Sequence, residues 1–159
     1  MLERGYSWWK RRLKYMSNFF DAYRIDHILG FFRIWEIPSH SVNGLVGQFS
    51  PAMPMSADEI ASFGLHFQRD FMTQPFINDD LLWQRFHEKA EWVKKSFLRH
   101  SHDDVYEMKA KFNTQRKVEA YLNEHPLPVG DEWIREGLYS LIDNVLFVPD
   151  RKLKGMYHP

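Results

Sequence analysis

The first stretch of the chain with a helical period lies between residues 6 and 20. Its apolar positions are spaced by four, three and four residues, which places them in one stripe along a helix. They are Trp9, Leu13, Met16 and Phe20. Most basic residues here lie off that stripe, as expected for a solvated helix face. The pattern predicts an amphipathic helix that ends between residues 18 and 21.

Further helices are predicted beyond residue 55. Ser56-Ala57-Asp58-Glu59 is a capping box that begins a short helix. Asn78 or Asp79 caps the clearest helix of the chain, whose apolar positions again form one stripe. That stripe consists of Leu82, Phe86, Ala90, Val93 and Phe97. Two more helices are predicted over residues 114–123 and 131–144.

Residues 20–38 are mostly apolar and aromatic, but charged side chains lie at their centre. If Ala22 to Asp26 is a β-strand, alternation places Arg24 and Asp26 on the same face. A guanidinium beside a carboxylate lowers the carboxyl pKa by about 1–3 units. An ionised aspartate at the carboxyl end of a strand is what a retaining glycosidase needs as its nucleophile. A salt-bridged strand end without chemistry is the alternative, because structural ion pairs also perturb pKa values.

The remaining segments have weaker signals. Residues 31–37 are consistent with a short helix that Pro38 would terminate. Residues 39–54 contain several Gly and Pro residues, which predicts a loop. The apolar run at residues 145–148 predicts a short strand.

Composition narrows the function classes. The chain has 159 residues, with 21 basic and 21 acidic side chains and no cysteine. Because the charges balance, no net field attracts nucleic acid or anionic lipid, so neither is expected as a partner. No apolar run approaches the roughly 20 residues of a membrane helix. Disulfides are excluded, which fits a reducing cytosol, and we expect a cytoplasmic protein.

A polar connection near residue 100 suggests one metal hypothesis. His100 and His102 are followed by Asp103 and Asp104, and imidazole and carboxylate both bind zinc. A metal-dependent hydrolase using His100, His102 and Asp104 would contain bound metal. No third, distant cluster of ligands stands out, so we expect neither a metal nor a cofactor.

A longer motif surrounds the candidate nucleophile. Tyr23-Arg24-Ile25-Asp26-His27-Ile28-Leu29-Gly30-Phe31, followed by Trp35-Glu36-Ile37-Pro38, closely resembles the nucleophile region of the amylomaltase family. These enzymes are the 4-α-glucanotransferases, or disproportionating enzymes, in which R-x-D-H-x-x-G-F and W-x-I-P surround the catalytic aspartate. The resemblance continues over residues 44–54 in the manner of long-form relatives, which carry an insertion after the nucleophile strand.

The resemblance implies a retaining transfer of α-1,4-glucan chains between maltooligosaccharides or to glucose. Asp26 would be the nucleophile, and Arg24 would orient it and keep it ionised. His27 would bind sugar hydroxyls near the cleavage point. Trp35 would either stack on sugar or pack beneath the loop.

The implied fold is a fragment of a larger enzyme. A (β/α)8 barrel needs about 250 residues, so this chain cannot close one. We expect a mainly α chain from an α/β parent. Residues 1–40 would form one strand–helix barrel unit, residues 41–145 a mostly helical insertion, and residues 146–159 a return segment. The strand's unpaired edges predict self-association of the truncated piece.

The catalytic set expected from the family is incomplete in this sequence. The acid/base glutamate of the family lies in a G-E-D-L-G motif, which does not occur here. The isolated chain is therefore expected to be inactive. An independently folding helical interaction module without catalysis is the alternative, although it does not explain why the two motifs occur together.

Overall fold

The computed structural model describes residues 6–159, without the side chains of Ile28, Phe31 and Leu45. The chain divides into two compact units, Met1–Ile34 and Trp35–Pro159. No helix in the described range is long and apolar enough to cross a membrane. Both helices and short strands are present, so the described fold is mixed α/β rather than mainly α.

In the first unit, helix α1 spans Ser7–Met16. The helix predicted from the apolar stripe is therefore present, but none of its residues is buried. Trp9 and Met16 are half-buried, whereas Leu13 is 39% exposed. The hydroxyl of Tyr23 donates a hydrogen bond to the Leu13 carbonyl at 2.7 Å. This bond ties the following segment to the last turns of α1.

The strand predicted at Ala22 to Asp26 is wrong, because residues 22–27 have no regular secondary structure. A 3₁₀ turn follows at Ile28–Phe31. Backbone groups of a strand need a neighbouring strand to bond with, and no described strand pairs with this segment. The strand edges on which self-association was predicted are therefore not formed.

The short helix predicted at residues 31–37 is also wrong. The chain instead forms strand β1, Ile34–Glu36, which pairs with strand β2, Gln48–Ser50, in a two-stranded sheet. Branched and aromatic residues such as Ile34 and Trp35 favour this pairing over a helix. Part of the predicted loop at residues 39–54 is therefore strand.

Besides the β1–β2 sheet, the second unit contains two three-stranded sheets and six α-helices. Strand β3, Met55–Ser56, is followed by helix α2, Ala57–Ser62, and helix α3, Arg69–Met72. Strand β4, Ile77–Asn78, comes next. The later elements are α4 Asp79–Phe86, α5 Ala90–Phe97, β5 Leu98–His102, β6 Val105–Met108, α6 Gln115–Glu124, α7 Trp133–Ile142, β7 Val148–Pro149 and β8 Met156–His158.

The main core of this unit lies among α4, α5, α6, α7 and the sheet β4–β6–β5. All five residues of the stripe predicted for the long helix are buried in it. The helix itself is interrupted, because His87 adopts φ 45° and ψ −125° and a 3₁₀ turn at His87–Lys89 separates α4 from α5. The prediction was right about the buried face and wrong about continuity.

A second, smaller core includes residues from the C-terminal segment of the chain. It consists of Ile60, Met72, Phe147 and Tyr157. The predicted strand at residues 145–148 is observed only as β7, which pairs antiparallel with β8.

Two predicted helix caps are confirmed. Glu59 N–H donates to Ser56 Oγ at 3.2 Å, and Ser56 N–H donates to Glu59 Oε2 at 2.7 Å, which completes the capping box. The backbone N–H of Ser56 lowers the pKa of Glu59, since it stabilises the ionised carboxylate. Asn78 Oδ1 accepts a bond from Leu81 N–H at 2.9 Å and caps α4.

Candidate functional site

Arg24 and Asp26 are in contact although the strand is absent. Arg24 Nη2 lies 3.8 Å from Asp26 Oδ1, and the two side chains are 91% and 90% exposed. An ion pair this exposed contributes little to stability, because water and salt screen both charges. The pair is therefore not explained by a need to hold the fold, and both groups are open to a ligand.

His27 bends the chain directly after the aspartate. Its backbone is left-handed, with φ 51° and ψ 53°, and its carbonyl accepts a hydrogen bond from Gly30 N–H at 3.0 Å. A non-glycine residue rarely adopts this conformation. A Cβ added at Gly30 would lie 3.3 Å from His27 Cδ2, so a larger residue there would press on the imidazole. The G of R-x-D-H-x-x-G-F thus leaves room for the ring.

Trp35 belongs to the second unit, and its indole is held against the following loop. Trp35 Nε1 donates a hydrogen bond to the Gly44 carbonyl at 2.9 Å, and its ring meets Phe49 edge-on at 5.1 Å. A Cβ on Gly47 would lie 2.6 Å from Trp35 Cε2. These contacts hold the indole against the loop that contains Gly44 and Gly47. Trp35 is still 47% exposed, and its stacking on a sugar stays a prediction.

Sequence reasoning missed a buried polar clamp in the second unit. Gln115 is 1% exposed, and its Oε1 accepts hydrogen bonds from Val42 N–H at 2.5 Å and Asn43 N–H at 2.8 Å. Its Nε2 donates to Asp143 Oδ2 at 2.5 Å. The clamp joins the loop after the W-x-I-P motif to α6 and to the end of α7. A glutamine in the first turn of a helix carries no sequence signal that distinguishes this role from solvent exposure.

Burial also changes the acidity of Asp143. Removal from water raises its pKa, and this outweighs the opposing hydrogen bond from Gln115 and the charge of His40. The carboxylate is thus held in an environment that disfavours its charge.

The metal hypothesis gains no support. His100 Nε2 lies 2.7 Å from the Asp103 carbonyl oxygen, and His102 Nδ1 lies 3.3 Å from Ser101 Oγ. Within residues 6–159, no group of three or more His, Asp or Glu side chains is arranged to hold a metal ion.

Comparison with known proteins tests the resemblance carried by the motif. The profile of the family described as 4-alpha-glucanotransferase matches residues 1–133. The chain belongs to this family. The matched range includes both R-x-D-H-x-x-G-F and W-x-I-P, and the family recognised from these motifs is confirmed.

Individual relatives show how much of a larger enzyme the chain represents. It is 39% identical over 163 aligned positions to 4-alpha-glucanotransferase DPE2 of Oryza sativa subsp. japonica, a match that covers 100% of this chain and 17% of the relative. The 4-alpha-glucanotransferase of Chlamydia pneumoniae is 63% identical over 30 residues, 19% of this chain and 6% of the relative. The chloroplastic/amyloplastic enzyme of Solanum tuberosum is 38% identical over 53 residues, 32% of this chain and 9% of the relative.

The chain thus spans less than a fifth of the length of these relatives. No solved structure matches it.

Proposed function

We propose that the protein containing this chain is a retaining 4-alpha-glucanotransferase that moves α-1,4-glucan chains between maltooligosaccharides or to glucose. The observation that supports this most strongly is the exposed Arg24–Asp26 pair inside the family's R-x-D-H motif. The intact catalytic domain would be a (β/α)8 barrel, in which this chain supplies the nucleophile segment and an insertion. The division into residues 1–40, 41–145 and 146–159 belongs to this proposal.

Asp26 would carry the covalent step. One carboxylate oxygen attacks the anomeric carbon, and the glycosidic C–O bond breaks as the leaving oxygen takes a proton from an acid group. A sugar 4-hydroxyl then attacks the glucosyl ester and returns its proton to the same group, which frees Asp26. That acid/base group would be a carboxylic acid elsewhere in the intact protein, so the isolated chain would not turn over glucan.

The neighbours of Asp26 would prepare it for attack. The guanidinium of Arg24, 3.8 Å away, favours the ionised nucleophile and restricts its orientation. The bend at His27 would direct the imidazole toward sugar hydroxyls, where hydrogen bonds strengthen as positive charge develops. Trp35 would stack on a sugar ring or support the loop beside the substrate. We propose no cofactor, nucleic-acid partner or membrane attachment, and a cytoplasmic location.

A disproportionation assay on the intact protein tests this function. Maltotriose is incubated with the wild type and with Asp26→Asn, and longer maltooligosaccharides are measured. Replacing the nucleophile by an amide should lower the rate at least about 1000-fold. Asp21→Asn is the matched control, because Asp21 is exposed in the same unit outside the motif. Normal transfer by Asp26→Asn would overturn the proposal.

A further inference from the structure

A large groove lies entirely within the second unit and shares no residue with the candidate site. Its volume is about 1170 Å³, and its walls come from residues 70–76, from the β5–β6 hairpin and from residues 109–114. This volume is slightly above the range of about 300–1,000 Å³ that is typical of small-molecule sites. It is large enough for a ligand of several rings.

One wall presents aromatic rings to solvent. Phe71 and Phe76 have ring centroids 5.0 Å apart, and they are 48% and 36% exposed. Exposed aromatic pairs inside a groove are suited to stacking on the apolar faces of ligand rings.

This wall is held in place by the backbone. Asn144 Nδ2 donates to the Phe76 carbonyl at 2.7 Å, and Phe76 N–H donates to the Asn144 carbonyl at 3.3 Å. The Met72 carbonyl accepts hydrogen bonds from Leu146 and Phe147 N–H groups at 3.2 and 3.0 Å. The aromatic wall is therefore preorganised, which lowers the entropic cost of binding.

Another part of the lining is a polar network on the hairpin. Arg99 of β5 and Glu107 of β6 are directly opposite each other and form an ion pair. Ser101 Oγ donates to Glu107 Oε1 at 2.9 Å, and this bond, followed by the Arg99 contact, lowers the pKa of Glu107. Planar guanidinium and carboxylate groups are suited to paired hydrogen bonds with neighbouring hydroxyls.

The charged side chains of the lining balance one another, so the groove has no net charge that would favour an ionic ligand. Asp70 and Glu107 are balanced by Arg99 and Lys109. The Lys109 ammonium is already bonded to the carbonyls of Lys95 and Ser96 at 2.6 and 3.0 Å. Exposed aromatic rings and fixed polar groups in one groove, without net charge, fit a neutral ligand that has both apolar faces and many hydroxyls.

We propose that this groove is an accessory binding site for α-1,4-glucan. The choice of glucan rests on the proposed function, whereas the preference for a neutral polyhydroxylated ligand rests on the groove alone. Phe71 and Phe76 stack on glucose rings, and Arg99, Ser101 and Glu107 bind their hydroxyls. The insertion then holds a long glucan chain while another part of the protein acts on it.

Hydrogen–deuterium exchange on the intact protein tests the site by location. The Asp26→Asn variant is titrated with maltoheptaose, so that turnover does not consume the probe, and inorganic phosphate serves as an anionic probe. Maltoheptaose should protect peptides covering residues 70–76 and 99–109, and phosphate should not. Phe71→Ala should raise the half-saturating concentration for this protection roughly tenfold. Gln74→Ala, at an exposed polar lining position, should raise it by a smaller factor.

Phe63→Ala is the matched control, because Phe63 is 79% exposed and lies outside the groove. Thermal melting of each variant checks that it is folded. The proposal is overturned if maltoheptaose leaves these peptides unprotected, if phosphate protects them equally, or if Phe63→Ala weakens protection as much as Phe71→Ala. Because the readout is protection and not transfer, failure of the groove leaves the disproportionation result unaffected, and the reverse also holds.

Discussion

Gln115 Nε2 donates a hydrogen bond to Asp143 Oδ2 at 2.5 Å, although the two residues are 28 positions apart in the chain. The other end of the same amide binds the N–H groups of Val42 and Asn43. One buried side chain therefore joins α6, the end of α7 and the loop that follows W-x-I-P. An amide suits this position because it donates and accepts at once, which neither a carboxylate nor an ammonium can do.

Gln115→Leu should remove the clamp while keeping a similar volume. Two backbone N–H groups and the Asp143 carboxylate would lose their partner in a buried place. We expect the free energy of unfolding to fall by about 2–4 kcal/mol, measured by urea denaturation. Arg116→Ala, one position further in the same helix and exposed, is the control and should change it by less than about 0.5 kcal/mol. Equal values for the two variants would mean that the clamp does not stabilise the unit.

Asp143 should make stability fall as pH rises. Burial raises its pKa above the ordinary 3.8, so the folded state keeps the proton longer than the unfolded state does. Relative to Asp143→Asn, the wild type should be most stable below pH 3.8. It should lose that advantage as pH rises through the raised pKa, and the difference should then stay constant. Unfolding free energies of both proteins between pH 3 and pH 7 give this curve, and a difference that grows with pH would contradict it.

Asp150 should give a contribution to stability that increases with pH, opposite to that of Asp143. The Leu153 N–H, His158 and the Lys152 N–H lower its pKa from 3.8 to about 2. Its Oδ2 lies 2.8 Å from His158 Nε2, and Oδ1 accepts both backbone bonds. The ionised form therefore stabilises the fold above pH 3.8, and this contribution is lost as pH falls toward 2. The stability difference between wild type and Asp150→Asn should shrink over that window, and a constant difference would count against it.

The sequence predicted local features of this fold better than its pairings. The stripe from Leu82 to Phe97 and the caps at Ser56 and Asn78 depend on residues near one another in the chain, and all are observed. The strand at residues 22–26 was wrong because a strand depends on a neighbour that its own residues do not specify.

The candidate site shows the same limit. A spacing of two residues was enough to bring Arg24 and Asp26 together, and the motif identified the family. The Gln115 clamp and the groove could not be predicted, because they bring together residues far apart in the chain; Val42 and Gln115 of the clamp are 73 positions apart. Gln115 is an ordinary surface type in the sequence, and Phe71 and Phe76 are ordinary core types; only the tertiary fold buries the one and exposes the others.

Two glycines of the loop between β1 and β2 should differ sharply in how well they tolerate substitution by alanine. A Cβ at Gly47 would lie 2.6 Å from Trp35 Cε2 and 2.9 Å from the Glu36 carbonyl oxygen, whereas a Cβ at Gly44 would meet only Ile37 Cδ1, at 3.4 Å. Gly47→Ala should therefore displace the indole and break its bond to the Gly44 carbonyl. We expect a loss of about 1–3 kcal/mol in unfolding free energy for Gly47→Ala and less than about 0.5 kcal/mol for Gly44→Ala.

Trp35 can report on this displacement directly. In a protein whose Trp35 alone carries 5-fluorotryptophan, the ¹⁹F resonance should shift in Gly47→Ala and stay in place in Gly44→Ala. If both variants leave the resonance unchanged, the close approach of Gly47 to the ring does not position Trp35.

Gly137 in α7 offers a test in which two effects have opposite signs. Glycine to alanine inside a helix normally stabilises it by about 1 kcal/mol. Here the new Cβ would lie 2.5 Å from Phe86 Cε1 and 2.8 Å from Cζ, and Phe86 is fully buried. Overpacking of this kind costs about 1–3 kcal/mol, so Gly137→Ala should destabilise the protein or leave it unchanged, while Ser140→Ala in the same helix should not lose stability. Combining Gly137→Ala with Phe86→Leu should recover part of the loss, because the smaller side chain withdraws the atoms in conflict. If Gly137→Ala instead raises the free energy of unfolding by the full amount of about 1 kcal/mol expected from helix propensity, α4 and α7 can move apart without loss of stability. Their close contact would then not determine how the core packs.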